Sequence, residues 1–269
     1  MLLLLLLLLL LLALTLSRFQ ARNGYGPFMP GFELVDYGDA LQIEEKLAAD
    51  PSIAGVLLEP LQGEAGVIVP PDGYLSRVRE ACTAHNALFM ADEIQSGLGR
   101  TGTMLAVEHD GVRPDVLILA KALSGGVFPV SAVLCDSDIM SVIRPGQHGS
   151  TYGGNPVAAA VGTAALNVLL DENLCENSAA AGINFRSGVE SMASPLVKLV
   201  RGRGLMNAVV INQREDVDAW QVCLKLAENG ILAKPTHNTT IRFTPPLTIS
   251  GAQMDESLEK IERSLKALE

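Results

Sequence analysis

Continuous apolar runs at residues 54–58, 87–91, 116–120 and 130–134 predict four buried strands, and residues 74–85 carry apolar positions at helical spacing between the first two. These strands are apolar on both faces instead of alternating, and helical or loop segments separate them. That pattern marks an α/β arrangement with a mostly parallel sheet covered by helices on both sides. Asn155-Pro156 opens a long alanine-rich helix that runs to about residue 170, and a second helix spans about residues 172–192. The pattern then changes. Residues 197–210, 217–229, 230–234, 240–243 and 251–268 read as the strands and helices of a smaller α+β unit. The expected organisation is a large unit over residues 23–170 and a smaller one, with its linking helix, over residues 171–269. No internal repeat is visible.

Residues 1–22 stand apart. Eleven consecutive leucines, Leu2 to Leu12, precede Ala13-Leu14-Thr15-Leu16. About fifteen apolar residues at roughly 1.5 Å each reach about 22 Å, short of a hydrocarbon core of about 30 Å. The tract has the apolar region of a signal peptide but no basic residue ahead of it. It reads as a low-complexity leader: a signal, an anchor, or an accident of the gene or its exon assignment. Membrane association would rest on this tract alone.

At 269 residues with 48% hydrophobic content the chain can bury a sizeable core. A formal charge of −10 leaves no basic stripe for a nucleic-acid partner, while small charged metabolites remain suitable ligands. Cys82, Cys135, Cys175 and Cys223 form no C-x-x-C pair, and His85, His109, His148 and His237 show no i, i+4 pairing. No metal site or disulfide framework is therefore expected.

The candidate chemistry sits at strand ends. The run Asp115 to Ala120 stops at Lys121, followed by Ala122-Leu123-Ser124-Gly125-Gly126. A strand delivering an amine into an apolar crevice lowers its pKa and frees it as a nucleophile toward a carbonyl. A lysine leaving a strand for solvent gives the same local pattern. Phe89-Met90-Ala91 ends in Asp92-Glu93, at the edge where open α/β sheets bind ligands. Such a strand also occurs in P-loop nucleotide hydrolases, but no Gly-Lys pair exists anywhere in the chain. Gly97 to Gly102 matches G-x-G-x-x-G without the strand and helix that would make it a dinucleotide site, and Ser150 lies outside G-x-S-x-G. A pyridine cofactor acts as an electron sink while its ring nitrogen stays protonated, which a buried carboxylate secures. The hydroxyls of Ser150 and Thr151, just ahead of a helix start, suit a phosphate, although capping the helix would use them equally well. Lysine, aspartate and hydroxyl loop together favour pyridoxal 5'-phosphate.

Glu59 to Gly66, Ala91 to Gly97, Lys121 to Gly126 and His148 to Pro156 resemble the class III pyridoxal-phosphate aminotransferases, and Lys234 to His237 and Ile241 to Leu247 are similar to the branch acting on ornithine. The resemblance runs from about Gly24 to the carboxyl terminus. It implies the fold-type I transferase architecture and transfer of the δ-amino group of ornithine to 2-oxoglutarate. It also implies that Lys121 forms the Schiff base and moves a proton, that Asp92 pairs with the pyridine nitrogen, and that Gln95 meets the ring hydroxyl. Ser150 and Thr151 would reach the phosphate of a partner subunit's cofactor, which implies a homodimer. Glu64 would mask Arg242 while ornithine binds and then release it to a carboxylate of 2-oxoglutarate; a permanent structural ion pair is the other reading of these two. Glu59 reads as a supporting residue.

Members of the family carry a substantial portion ahead of the Gly24-like segment, and here a leucine tract stands in its place, so the expectation is a chain lacking the amino-terminal part of the fold. Two further readings accompany the transaminase: an inactive relative serving as a binding or dimerisation partner, and another class III aminotransferase or aminomutase. The family's eukaryotic members imply a mitochondrial matrix or cytoplasmic location.

Overall fold

The computed structural model describes residues 24 and 26–269. The leader assigned to residues 1–22 lies outside the described residues. Two four-stranded sheets organise the rest. The first contains β1 (Gly55–Leu58), β2 (Leu88–Asp92), β3 (Val116–Leu119) and β4 (Ala132–Cys135), in that spatial order. The first three strands are parallel and β4 runs antiparallel at the edge, so the sheet is mostly parallel as its apolar runs imply. The fourth strand starts two residues later than its apolar run. Pro129 has no N–H to offer a ladder, and pairing begins only where Ala132 meets Leu119.

Helix α1 (Ala40–Ala49) and α2 (Tyr74–Ala84) pack against one another, and both contribute to the core cluster on this sheet that contains Ile43, Leu47, Leu75, Val78 and Phe89. Hydrophobic patterning alone passed over α1, whose start is fixed by Asp39, with its side chain accepting from Gln42 N at 3.0 Å. Gly55 is required in β1, because a Cβ there would lie 2.8 Å from the Leu88 carbonyl oxygen. After the short α3 (Ser137–Met140) comes α4 (Pro156–Asp171), with proline in its first turn and Asn155 accepting from Ala158 N at 2.9 Å. Helix α5 (Leu174–Ser191) follows.

The second sheet is antiparallel, ordered β5 (Val197–Arg203), β6 (Met206–Ile211), β8 (Thr240–Phe243), β7 (Lys234–Thr236). Residues 197–210, one segment in the hydropathy pattern, are a hairpin broken at Gly204, whose φ of +51° suits a tight turn. Residues 230–233, expected in a strand, lie outside it, and only Lys234 to Thr236 pair with β8. Helices α6 (Ala219–Glu228) and α7 (Gly251–Lys266) start at capping boxes, Asp218 with Gln221 and Ser250 with Gln253. With α5 they enclose the largest core cluster, around Phe185, Leu205, Ile241 and Met254.

Three backbones meet at one point. A Cβ on Gly182 of α5 would lie 1.8 Å from the Gly204 carbonyl oxygen, and one on Gly204 would lie 2.3 Å from the Thr101 carbonyl carbon. Gly182→Ala is therefore expected to cost about 3 kcal/mol, because backbone and not a pliant side chain must move. A fall in the denaturation midpoint at unchanged slope would show it.

Candidate active site

Parallel strands place their carboxyl ends at one edge. Asp92 closes β2, opposite Ile118 in the register, and β3 ends at Leu119, two residues before Lys121. The chain turns sharply there: Lys121 has φ +43° and starts a 3-10 turn through Ser124. Its side chain is therefore presented at the mouth of the crevice and is exposed. A cavity of about 330 Å³ opens beside it, lined by Lys121, Gln95, Arg100, Met206, Arg242 and Leu247 among others. The amine expected in an apolar crevice sits at its rim, exposed but partly desolvated. Desolvation still lowers the Lys121 pKa, opposed by the charges of Glu64, Glu59 and Asp92.

Asp92 is 7% exposed, and its Oδ1 accepts from Ile94 N at 3.0 Å. Burial raises its pKa, against the pull of that amide and of Lys121. A carboxylate in this state gains from a cationic neighbour. Glu93 next to it is structural: it is 1% exposed, accepting from Ser96 Oγ at 2.5 Å and from Val107 N at 2.9 Å.

Glu64, Gln95 and Arg242 converge. Arg242 Nη1 donates to Glu64 Oε1 at 2.8 Å and to Gln95 Oε1 at 3.3 Å, while Gln95 Nε2 donates to Glu64 Oε1 at 3.3 Å. The Arg242 side chain is 10% exposed and that of Glu64 is 59% exposed, so the carboxylate is the partner free to swing away. Arg242 Nε is buried without a hydrogen-bond partner, a donor suited to an incoming acceptor. A Cβ on Gly63 would sit 1.5 Å from Gln95 Oε1, so the Gln95 amide keeps this position only over a glycine.

Two contributors, Lys234 and Arg100, were not singled out from the sequence. Lys234 Nζ lies 3.5 Å from Glu64 Oε2, and it pairs directly with Arg242 across β7 and β8. The polar Asn238-Thr239 turn between the two strands could have revealed that pairing. Arg100 is a buried guanidinium, its pKa pushed down to about 10 by burial, donating through Nη1 to the carbonyls of Leu205 at 3.0 Å and Pro245 at 2.7 Å. Glu59, read as supporting, accepts from Gly63 N at 2.9 Å and lies within the electrostatic reach of Asp92, Lys121 and Glu64.

Burial raises the Glu59 carboxyl to about 6. An acid whose folded-state pKa lies above its unfolded value binds more protons when folded, so its contribution to stability falls as pH rises from about 4.5 to about 6. Glu59→Gln should remove up to about 2 kcal/mol of that decline, read from denaturation midpoints of parent and variant across the same pH window.

Ser150 and Thr151 are exposed and are not among the residues lining the Lys121 cavity. Ser150 Oγ accepts from Gly153 N at 2.9 Å, and the cap of α4 is Asn155, which leaves neither hydroxyl in that role. Among the described residues no group of three or more His, Cys, Asp or Glu could hold a metal, and no single helix is long and apolar enough to cross a membrane.

A family model described as aminotransferase class-III matches residues 8–265. The chain is 53% identical over 260 residues to the mitochondrial ornithine aminotransferase of Drosophila melanogaster, covering 94% of this chain and 60% of that relative. The mitochondrial ornithine aminotransferase of Rattus norvegicus is 55% identical over 243 residues, covering 90% of this chain and 55% of that relative. Among solved structures, the ornithine aminotransferase of Toxoplasma gondii with partial occupancy of PLP at its active site superposes with a TM-score of 0.91 at 46% identity, over 95% of this chain and 60% of that one. The chain thus spans 55–60% of the length of the two curated relatives. The chain belongs to the class III aminotransferase family.

Proposed function

We propose that this chain carries the lysine-bearing part of a pyridoxal-phosphate aminotransferase site, which moves the δ-amino group of ornithine to 2-oxoglutarate and yields glutamate 5-semialdehyde and glutamate. The observation that carries this reading is the 2.8 Å pairing of Glu64 with Arg242, which lines the Lys121 cavity. A removable carboxylate lets one pocket accept a cationic substrate and then an anionic one.

The residues suit the cofactor: a buried carboxylate with a raised pKa, a partly desolvated amine and a concave site lie at one sheet edge. When bound, pyridoxal phosphate supplies an electron sink for the carbon that carries the amine. Asp92 would hold the proton at the pyridine nitrogen, because ionising beside a cation relieves the cost of its burial. Lys121 Nζ would anchor the cofactor and move a proton at the substrate carbon. Gln95 bridges the cofactor end of the site to the Glu64–Arg242 pair through its two 3.3 Å contacts. With Glu64 in place Arg242 is neutralised; with Glu64 displaced, its buried guanidinium can bind a carboxylate.

Residues 23–170 would form the cofactor-binding unit and 171–269 the smaller one. Ser150 and Thr151, exposed and away from this chain's own cavity, suit the phosphate held by a second copy, and a homodimer follows. The names of the fly and rat relatives support a mitochondrial location. The proposal is tested by incubating the folded, cofactor-loaded chain with ornithine and 2-oxoglutarate and trapping the semialdehyde; a folded preparation that binds the cofactor and forms none contradicts it.

A further inference from the structure

The face of the antiparallel sheet behind Arg242 carries a row of three cations. Arg201 on β5 pairs with Ala208 on β6, Ala208 with Arg242 on β8, and Arg242 with Lys234 on β7. Directly paired residues of antiparallel strands project to the same face, so Arg201, Arg242 and Lys234 stand in one line over about 14 Å, with the small Ala208 between the arginines. The segment that carries Glu64 lies across this line.

Every contact of that segment with the row is specific. Arg242 and Lys234 take the two oxygens of Glu64. Arg201 takes backbone: Nε donates to the carbonyls of Gly66 at 3.1 Å and Val67 at 3.0 Å, and Nη2 donates to Gly66 at 2.7 Å. Leu61 and Val67 press on Met206 and Ala208, all of them buried. The segment is tight: Gln62 and Ile68 exchange backbone hydrogen bonds at 3.1 and 2.9 Å, and Gly66 N bonds back to Gly63 O at 3.1 Å. Val67 holds φ at +56°, a conformation that costs a β-branched residue energy and persists only when neighbours enforce it. Gly66 leaves room for the clamp, since a Cβ there would lie 3.3 Å from Arg201 Nη2.

We propose that Arg201 is a positioning residue for substrate selection: its fork on the Gly66 and Val67 carbonyls holds the 62–68 turn against the sheet in the one placement that sets Glu64 over Arg242. This rests on the reading of Arg242 as a carboxylate anchor and adds the element that decides how firmly it is covered. Arg201 touches neither Glu64 nor the cavity wall, so it acts through the turn alone.

The test uses the full chain without cofactor, with glutarate as the dicarboxylate probe and hydrogen exchange of the 62–68 amides as a second readout. In Arg201→Met, glutarate binding should tighten about threefold to fivefold, the range an exposed ion pair can control, and the 62–68 amides should exchange faster while those of α7 do not change. Arg201→Lys, which keeps the charge but loses the planar fork, should fall between parent and Arg201→Met. In a Glu64→Gln background, Arg201→Met should leave glutarate affinity unchanged. An equal shift in both backgrounds, or unaltered exchange at 62–68, overturns the inference. Glutarate binding no tighter in Glu64→Gln than in Arg242→Met overturns instead the reading of Arg242 on which it rests.

Discussion

On the proposed function, Lys121→Ala should remove the visible absorption that pyridoxal phosphate gains on binding the parent chain and lower ornithine turnover by at least about 1,000-fold, since both covalent anchoring and proton transfer would be lost. The size of the effect follows from position. Lys121 is the amine set directly beyond the carboxyl end of β3, and it lines the cavity at the sheet edge where Asp92 is buried. Its left-handed backbone at φ +43° turns the side chain out of the strand direction toward the cavity mouth. The substitution leaves the core intact, because the residue is exposed, so the variant's denaturation midpoint should match the parent's. Loss of turnover with a retained absorption change would place the Schiff base on another lysine.

Glu64→Gln should produce the second large effect, running in opposite directions for the two substrates of the proposed reaction. The parent carboxylate stands 2.8 Å from Arg242, which lines the cavity, and 3.5 Å from the exposed Lys234, so its removal leaves both cations without that partner. Cationic ornithine would then meet net repulsion, whereas 2-oxoglutarate would find Arg242 uncovered. The KM for ornithine should rise about tenfold and that for 2-oxoglutarate should fall about tenfold, magnitudes set by one unit charge a few ångströms away at an intermediate dielectric. Separate measurement of the two half-reactions checks it. Equal changes for both substrates would make Glu64–Arg242 a fixed structural pair, the reading that the segment Glu59 to Gly66 left open.

Much of this architecture was legible before any coordinates. Strands buried on both faces announce themselves as unbroken apolar runs, and a single charged residue at the end of such a run has few places to go except a sheet edge. The strand-end placement of Asp92 and Lys121 was therefore visible from local pattern, while the chemistry of each was not. Helix α1 was also written in the chain, by Asp39 and the spacing of Ile43 and Leu47, yet it lies in a segment whose short apolar positions do not stand out. The turn at Gly204 splits β5 from β6 with Arg203 on one side only, because Leu205 and Met206 on the other are themselves buried. Long-range partnerships carry no such local signal. Arg201 reaches Gly66 across 135 positions and Arg242 reaches Glu64 across 178. Only the register of the second sheet, set by the β7–β8 turn and the β5–β6 hairpin, brings those cations into line.

On the proposed function, Lys121 is the residue that holds pyridoxal phosphate. Incubating the full chain with the cofactor, reducing the Schiff base with borohydride and mapping the modified peptide by mass spectrometry tests it directly, because the reduced carbon–nitrogen bond survives digestion. One dominant pyridoxyl label, on Lys121 and weakened in Asp92→Ala, is expected. A label spread over exposed lysines such as Lys198 and Lys234, or its absence from Lys121 in folded protein, would contradict it.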